Sequence, residues 1–311
     1  MATVVTPLGA EYEGGILARE QVSLWRDGLR RLRRNRFALV AACYLIFIVG
    51  VALVAFVWTP YDPKAQNICQ VEPVFADAPS AQHLFGCDPL GRDILSQMMQ
   101  GAQISLAVGV GTALIVLVGG VSLGMLAGYR RGWIDSVISL VINVFYSVPT
   151  LLFALILYII LGPGLVNIMI AISVTTWMDM ARLVRGQTLS IREREYIEAA
   201  RASGTKSGRM LIQHVFPNAL GPIIVQATFV IPIAILTEAF LSFLGLGIRP
   251  PLFSWGAIAS GTADGTTPLS LLQGGAAHIV LFPSAALSLT LLAFNFFGDG
   301  LRDAFDPRQK R

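Results

Sequence analysis

Uncharged stretches long enough to cross a bilayer recur along this chain, separated by short clusters of charge. A spanning helix needs about 20 apolar residues, because it rises about 1.5 Å per residue through a hydrocarbon core about 30 Å thick. The first such stretch covers 38–58, between Arg36 and a cluster of Pro60, Asp62 and Pro63. The second covers 104–129 and is stopped by Arg130 and Arg131. No charge then occurs between Asp135 and Asp179, which is too long for one helix. Leu161, Gly162, Pro163 and Gly164 interrupt that run as a tight turn would, predicting helices over 136–160 and 165–186. A fifth stretch covers 217–242. A sixth covers 278–298 and is stopped by Asp299, Arg302 and Asp303. The pattern predicts an all-α membrane protein with six transmembrane helices.

Composition agrees with lipid as the main solvent. The 311 residues are 54% hydrophobic and 14% charged, where a soluble domain carries about 25% charged residues. The formal charge of +4 would point to nucleic acid in a soluble chain. Here the basic residues sort by side instead. With the N-terminus inside, only Lys64, Arg92 and Arg249 of the 23 lysines and arginines fall outside. The positive-inside rule therefore predicts both termini inside, in a multi-pass protein of the cytoplasmic membrane, with lipid rather than nucleic acid as neighbour.

The predicted organisation is a cytoplasmic segment 1–36, a first helix and outer loop over 37–103, a membrane core over 104–300, and a cytoplasmic tail 301–311. Residues 1–36 are polar and arginine-rich, and the apolar run after them is too long for a signal peptide. Leu24, Trp25, Leu29 and Leu32 share a helical face among arginines, which predicts an interfacial helix over 22–36 and disorder over 1–15.

Within the membrane, Gly120, Gly124 and Gly128 form a small-residue ridge. Such ridges let helix backbones approach closely in lipid, here within the subunit rather than at a dimer seam. Pro149, Pro217, Pro222, Pro232 and Pro283 fall in or near the helices, where kinks are tolerated. Ionisable groups are scarce at depth: Asp179 sits by Arg182 and Arg185 at an inner helix end, and Glu238 lies near an outer one. That scarcity counts against a proton- or sodium-coupled carrier. The sequence holds no HExxH pattern and no CxxC pair, so neither an intramembrane metalloenzyme nor a zinc site is expected. It also lacks a GxxxxGK[ST] phosphate loop: Lys206 and Ser207 follow Thr205 rather than a glycine. A scaffold without flux is the remaining rival to a transporter.

The loop 190–217 is the most informative stretch. Residues 192–202 are good helix formers, with Arg194 and Glu198 spaced to pair and Ile191, Tyr196, Ile197 and Ala200 supplying an apolar side. Gly204 ends this helix, Thr205 or Ser207 caps a second short one, and Pro217 starts the next span. An ordinary amphipathic surface helix would share this pattern. Glu198, Ala199, Ala200, then Gly204, then Pro217 resemble the EAA loop of ABC importer permeases, although His214 and Phe216 stand where that family often has aliphatic residues. The resemblance implies that this loop is the coupling helix that docks into an ATPase subunit.

Three further segments carry the resemblance to permeases of the peptide/nickel importer family. These are residues 84–93 (LFGCDPLGRD), 238–247 (EAFLSFLGLG) with Pro250, Pro251, Ser254, Trp255 and Gly256, and 294–303 (FNFFGDGLRD) with Asp306, Pro307 and Arg308. The chain is most similar to the C-type permease subunit of dipeptide/oligopeptide importers. Membership implies a type I importer permease fold, peptide translocation by alternating access, and no catalytic residue in this chain. It also implies a second homologous permease, two ATPase subunits or domains that bind ATP and magnesium, and an extracytoplasmic substrate-binding protein. This chain itself is expected to bind no cofactor or metal. The outer loops 60–100 and 246–277 would face the binding protein or serve as linkers. Cys69 and Cys87 both lie outside, where oxidising conditions permit a disulfide worth about 3 kcal/mol of local order. Two free thiols are the alternative, and the family segment usually has threonine at the position of Cys87. Cys43 lies in the first helix as an apolar side chain.

Overall fold

A computed structural model of the chain describes residues 28, 30–69 and 77–305. The apolar stretches form helices that continue past their membrane-crossing parts. α1 spans Arg36–Val54 and is capped by Asn35, whose side chain accepts the Ala38 N–H at 3.2 Å. α2 spans Ile94–Arg130. It begins well before residue 104 because Asp93 caps it, accepting the Ser96 N–H at 2.8 Å, and Gln97, Gln100 and Gln103 are helical residues outside the apolar stretch.

The run expected as one helix over 136–160 is instead two, α3 (Gly132–Tyr146) and α4 (Thr150–Leu161), bent by 93°. The physical reason is Pro149, which has no N–H to donate and disfavours helix in the residue before it. α5 spans Leu165–Arg192, with an inner end longer than the predicted 186. After it come α6 (Glu195–Ala202), α7 (Ser207–Met210), a π-helical turn (Leu211–Val215) and α8 (Phe216–Phe243). The segment after α8 contains α9 (Trp255–Ala259) and α10 (Pro268–Gln273). α11 spans Ala277–Phe305 and passes straight through Asp299, Arg302 and Asp303, because charge ends a membrane crossing but not a helix.

Among the described residues, four helical stretches are long and apolar enough to cross a membrane: α1, α2, α7 through α8, and α11. The bent pair α3–α4 passes the same test when the two helices are taken together as one broken span. α5 is not apolar enough to count, since it carries Asp179, Arg182 and Arg185. Of the expected interfacial helix 22–36, residues 22–27 and 29 lie outside the described residues, as does the segment 1–15 expected to be disordered. Residues 30–32 are helical.

The glycine ridge of α2 packs within the chain, against α5. A Cβ on Gly120 would stand 2.7 Å from the Met180 Cβ. One on Gly124 would stand 2.5 Å from the Ala181 carbonyl oxygen, and one on Gly128 would stand 2.7 Å from the Thr188 Cβ. Only glycine permits this approach, and dispersion over the whole seam is what rewards it in lipid. At the end of the bundle that carries the loop 190–217, Val116, Val121, Met180, Val184, Ile197, Met210 and Val215 form one buried cluster that ties α2 and α5 to the loop and to α8. α1 lies on α11 and exposes Phe37, Val40, Ile46 and Phe47 on its other side, the pattern of a helix facing hydrocarbon.

Candidate functional site

The loop 190–217 is built from α6 outward. Arg194 occupies the N-cap with extended backbone. It therefore stands outside the helix and forms no ion pair with Glu198, contrary to the spacing argument. The pair that forms nearby is Arg131 with Glu193, at 2.6 Å between exposed side chains. Ile197 is fully buried in the cluster that includes Met180 and Val184, and Ala200 packs against it. Burying an isoleucine contributes about 1.5–3 kcal/mol, so Ile197 anchors α6 to the membrane core. Tyr196, expected on the apolar side, is instead 45% exposed, because it precedes Ile197 and so points about 100° away around the helix.

The exposed face of α6 presents Tyr196, Glu198, Ala199 and Ala202. Its C-terminus is a Schellman motif. The Thr205 N–H bonds the Ala200 carbonyl at 3.2 Å and the Gly204 N–H bonds that of Arg201 at 3.0 Å, with Gly204 at φ +80°. A Cβ on Gly204 would meet nothing within 4 Å, so the backbone alone demands glycine there. Lys206, rather than Thr205 or Ser207, takes the N-cap position of α7, with no side-chain cap.

Pro217 does not start a new helix after a break. The helix runs from Ser207 to Phe243. The π turn widens it just before Pro217, where a regular turn would press the ring on the carbonyl one turn back. Asn218 Nδ2 donates to the His214 carbonyl at 2.6 Å, filling one acceptor near the distortion. α6 is thus joined, through the turn at 203–206, to a continuous, locally widened rod that runs from Ser207 to Phe243.

The segment around Arg92 and the segment 253–263, at the end of the bundle away from α6, pack together as a cap, which sequence reasoning missed. Arg92 is buried, its Nε 2.6 Å from Asp88 Oδ2, its Nη2 donating to the Ala263 carbonyl at 2.9 Å, and its guanidinium over the Phe253 ring. Gln97 Nε2 also donates to Asp88 Oδ2, at 2.7 Å. The LFGCDPLGRD segment therefore clamps the 253–263 segment. Glu238, fully buried in α8, accepts from Ser254 at 2.7 Å and Ser242 at 2.8 Å, so α8 holds the N-cap of α9. Asp264 is half-buried, and desolvation pushes its pKa up against the opposing hydrogen bonds from Thr266. Cys69 and Cys87 are paired as a disulfide with Cα atoms 6.5 Å apart, within the usual range for a bridge. Cys43 is exposed on α1.

A second charged group lies where α3 meets α5. Asp135 pairs with Arg185 in a bidentate contact, Asn143 accepts from Arg182 at 3.3 Å, and Tyr146 donates to Asp179. The Arg182 guanidinium sits 4.3 Å above the Tyr146 ring. Asp179 is therefore held by tyrosine, not by the arginines expected beside it. It stands midway along α5 rather than at its inner end. A cavity of about 400 Å³ opens between α5, α8 and α11, with Gln187, Gln226 and Arg302 among its lining.

Comparisons with known proteins bear on this geometry. Residues 120–311 match the family described as the binding-protein-dependent transport system inner membrane component, and residues 23–71 match the N-terminal TM domain of oligopeptide transport permease C. The oligopeptide transport system permease protein OppC of Bacillus subtilis is 39% identical over 95% of this chain and 93% of its own. The dipeptide transport system permease protein DppC of the same organism is 42% identical over 96% and 90%. The glutathione transport system permease protein GsiD of Pectobacterium atrosepticum is 38% identical over 92% of each. Among solved structures, inward-facing MetNI methionine ABC transporter has a chain similar in fold. The TM-score is 0.54 at 20% identity, over 67% of this chain and 96% of that one.

Proposed function

The chain belongs to the binding-protein-dependent transport system inner membrane component family, and from that premise we propose that it is the membrane permease of an ABC importer for di- or oligopeptides. Relatives named for oligopeptide, dipeptide and glutathione transport support the peptide class. In this reading six segments cross the membrane with both termini inside: α1, α2, α3–α4, α5, α7–α8 and α11. α5 crosses despite its charges because α2, α4 and α8 surround most of it. A second, homologous permease covers the exposed faces of α3 and α4. Two ATPase subunits bind ATP and magnesium, an extracytoplasmic binding protein delivers substrate to the outer cap, and this chain contributes the path rather than hydrolysis.

The observation that carries the reading is the mechanical connection of α6. Its face with Glu198 and Ala199 is free for a partner, Ile197 anchors it in the core, and the turn at Gly204 connects it to the rod that carries Pro217 into α8. Closure of an ATPase pair would displace α6, and the rod from Ser207 to Phe243 would tilt with it, opening the path outward. Cys69 and Cys87 would remain bonded in the oxidising exterior and tie the Ile68 region to the cap. The test is purification of the tagged chain in mild detergent. Co-purification of a second permease and phosphate-loop ATPases, with hydrolysis stimulated by a peptide-loaded binding protein, is the expected result. A chain that emerges alone and inactive under conditions that preserve related complexes would overturn the importer reading.

A further inference from the structure

Charge on the exposed side of α5 needs an occupant. Along this helix most residues from Ala171 to Thr188 are buried or half-buried, and the exposed exceptions are Asp179, Arg182 and Gly186. These three recur at helical spacing, so they form one narrow face. α5 is about 42 Å long at 1.5 Å per residue, which places Asp179 about 21 Å from either end, within the depth of the hydrocarbon when the helix crosses. A charged face at that depth is costly against lipid and belongs on a water-filled path. The neighbouring helix break supports the same placement. Irregular backbone at membrane depth, here between Tyr146 and Thr150, is tolerated where it lines a cavity or is buried in protein.

The local contacts leave this face unsaturated. Asp179 Oδ1 accepts from Tyr146, while Oδ2 has no partner among the described residues. Arg182 uses one Nη for Asn143 and stacks on the Tyr146 ring. Its other N–H donors have no partner among the described residues. Arg185 differs, because its Nε and Nη2 are both spent on Asp135. The face therefore presents one free carboxylate oxygen and one incompletely used guanidinium, three residues apart on a helix, or roughly 5–6 Å between Cβ atoms. The ends of an extended dipeptide are separated by a similar distance, about 7 Å at most at 3.3–3.6 Å per residue.

The geometry points to Asp179 and Arg182 as a station for the free termini of a short peptide in transit, Asp179 taking the α-ammonium and Arg182 the α-carboxylate. This rests on the peptide-importer reading and deepens it. The aromatic ring of Tyr146 holds the guanidinium in place and its hydroxyl holds the carboxylate, so the two charges are pre-positioned without neutralising each other. A zwitterion would replace part of its lost hydration there while it passes a low-dielectric zone.

The test uses the full importer with its partners, reconstituted in proteoliposomes, with uptake of a radiolabelled dipeptide measured per ATP turned over. Asp179→Asn keeps an acceptor for Tyr146, and Arg182→Gln keeps a donor for Asn143, so each variant removes charge while local bonding is retained. Each is expected to lower dipeptide carried per ATP about tenfold. Asp179→Glu and Arg182→Lys, which restore the charges, should recover most of it. Unaltered coupling in both neutral variants would overturn the station. So would charge-retaining variants as impaired as the neutral ones, since that marks a packing role. Thermal stability of each purified complex separates either result from misfolding. If the unaltered complex carries no peptide at all, the peptide reading itself fails and the station falls with it.

Discussion

Gly204 closes α6 in a conformation that other residues resist, and its surroundings make the consequence separable from folding. At φ +80° an L side chain pays for the left-handed region, about 1–2 kcal/mol for alanine. No atom lies within 4 Å of an added Cβ, so no steric term inside this chain adds to that cost. Since 1.4 kcal/mol is a factor of ten, Gly204→Ala should shift the balance between capped and uncapped α6 by about 5- to 30-fold. The two bonds at risk are those from Thr205 to Ala200 and from Gly204 to Arg201. Asparagine tolerates the left-handed region better, so Gly204→Asn should lose less. Gly204→Asp adds a negative charge at the C-terminal end of the helix, which the helix dipole disfavours, and should abolish uptake. The assay is peptide uptake with membrane levels of the chain measured in parallel. Uptake should fall in the order Asn, Ala, Asp, with insertion unchanged. Full uptake by the alanine variant, or an asparagine variant worse than alanine, would refute the capping argument.

Three further outcomes are expected. Ile197→Ala should cost about 2–5 kcal/mol at the anchor and expose 195–202 to protease, whereas Tyr196→Ala should leave protection intact. Equal protection in both variants would remove Ile197 as the anchor. Gly124→Val should force α2 from α5 at the Ala181 carbonyl and lower the melting temperature of the purified chain, overpacking costing about 1–3 kcal/mol. Unchanged melting would mean the seam is not tightly packed. For Asp264 the folded pKa lies above the unfolded one, so its contribution favours the cap below the ordinary carboxylate range and is lost as pH rises through the folded value. Hydrogen exchange across 261–266 should therefore quicken as pH rises through that range, after correction for the intrinsic rate. Asp264→Asn, whose carbonyl can still accept from Thr266, should abolish that dependence. The same dependence in the Asn variant would assign it elsewhere.

Much of this protein was legible along the chain because lipid imposes a one-dimensional test. Runs of apolar residues, their flanking arginines, and the Glu198–Gly204–Pro217 spacing all follow from local rules on burial, charge and helix ends. Those rules located the loop and most of the apolar helices, and the resemblance of four motifs pointed to the family. Tertiary structure decided what those rules do not reach. The break at Pro149 shows in sequence only as a proline among apolar residues, since a kink, a break or a straight start can follow it. The π turn before Pro217 depends on keeping one rod continuous from the loop to α8. Arg92 reads locally as a solvated outer charge, and only Asp88, Ala263 and Phe253, brought together from distant positions, make it a buried clamp. Asp179 reads as an end-of-helix acid close to Arg182 and Arg185, until Tyr146 from α3 takes one of its oxygens and stacks under Arg182 on the same face. Periodicity records which side of a helix is apolar. Which partner meets the polar side is set by packing between segments far apart in sequence, and that information exists only once the helices are assembled.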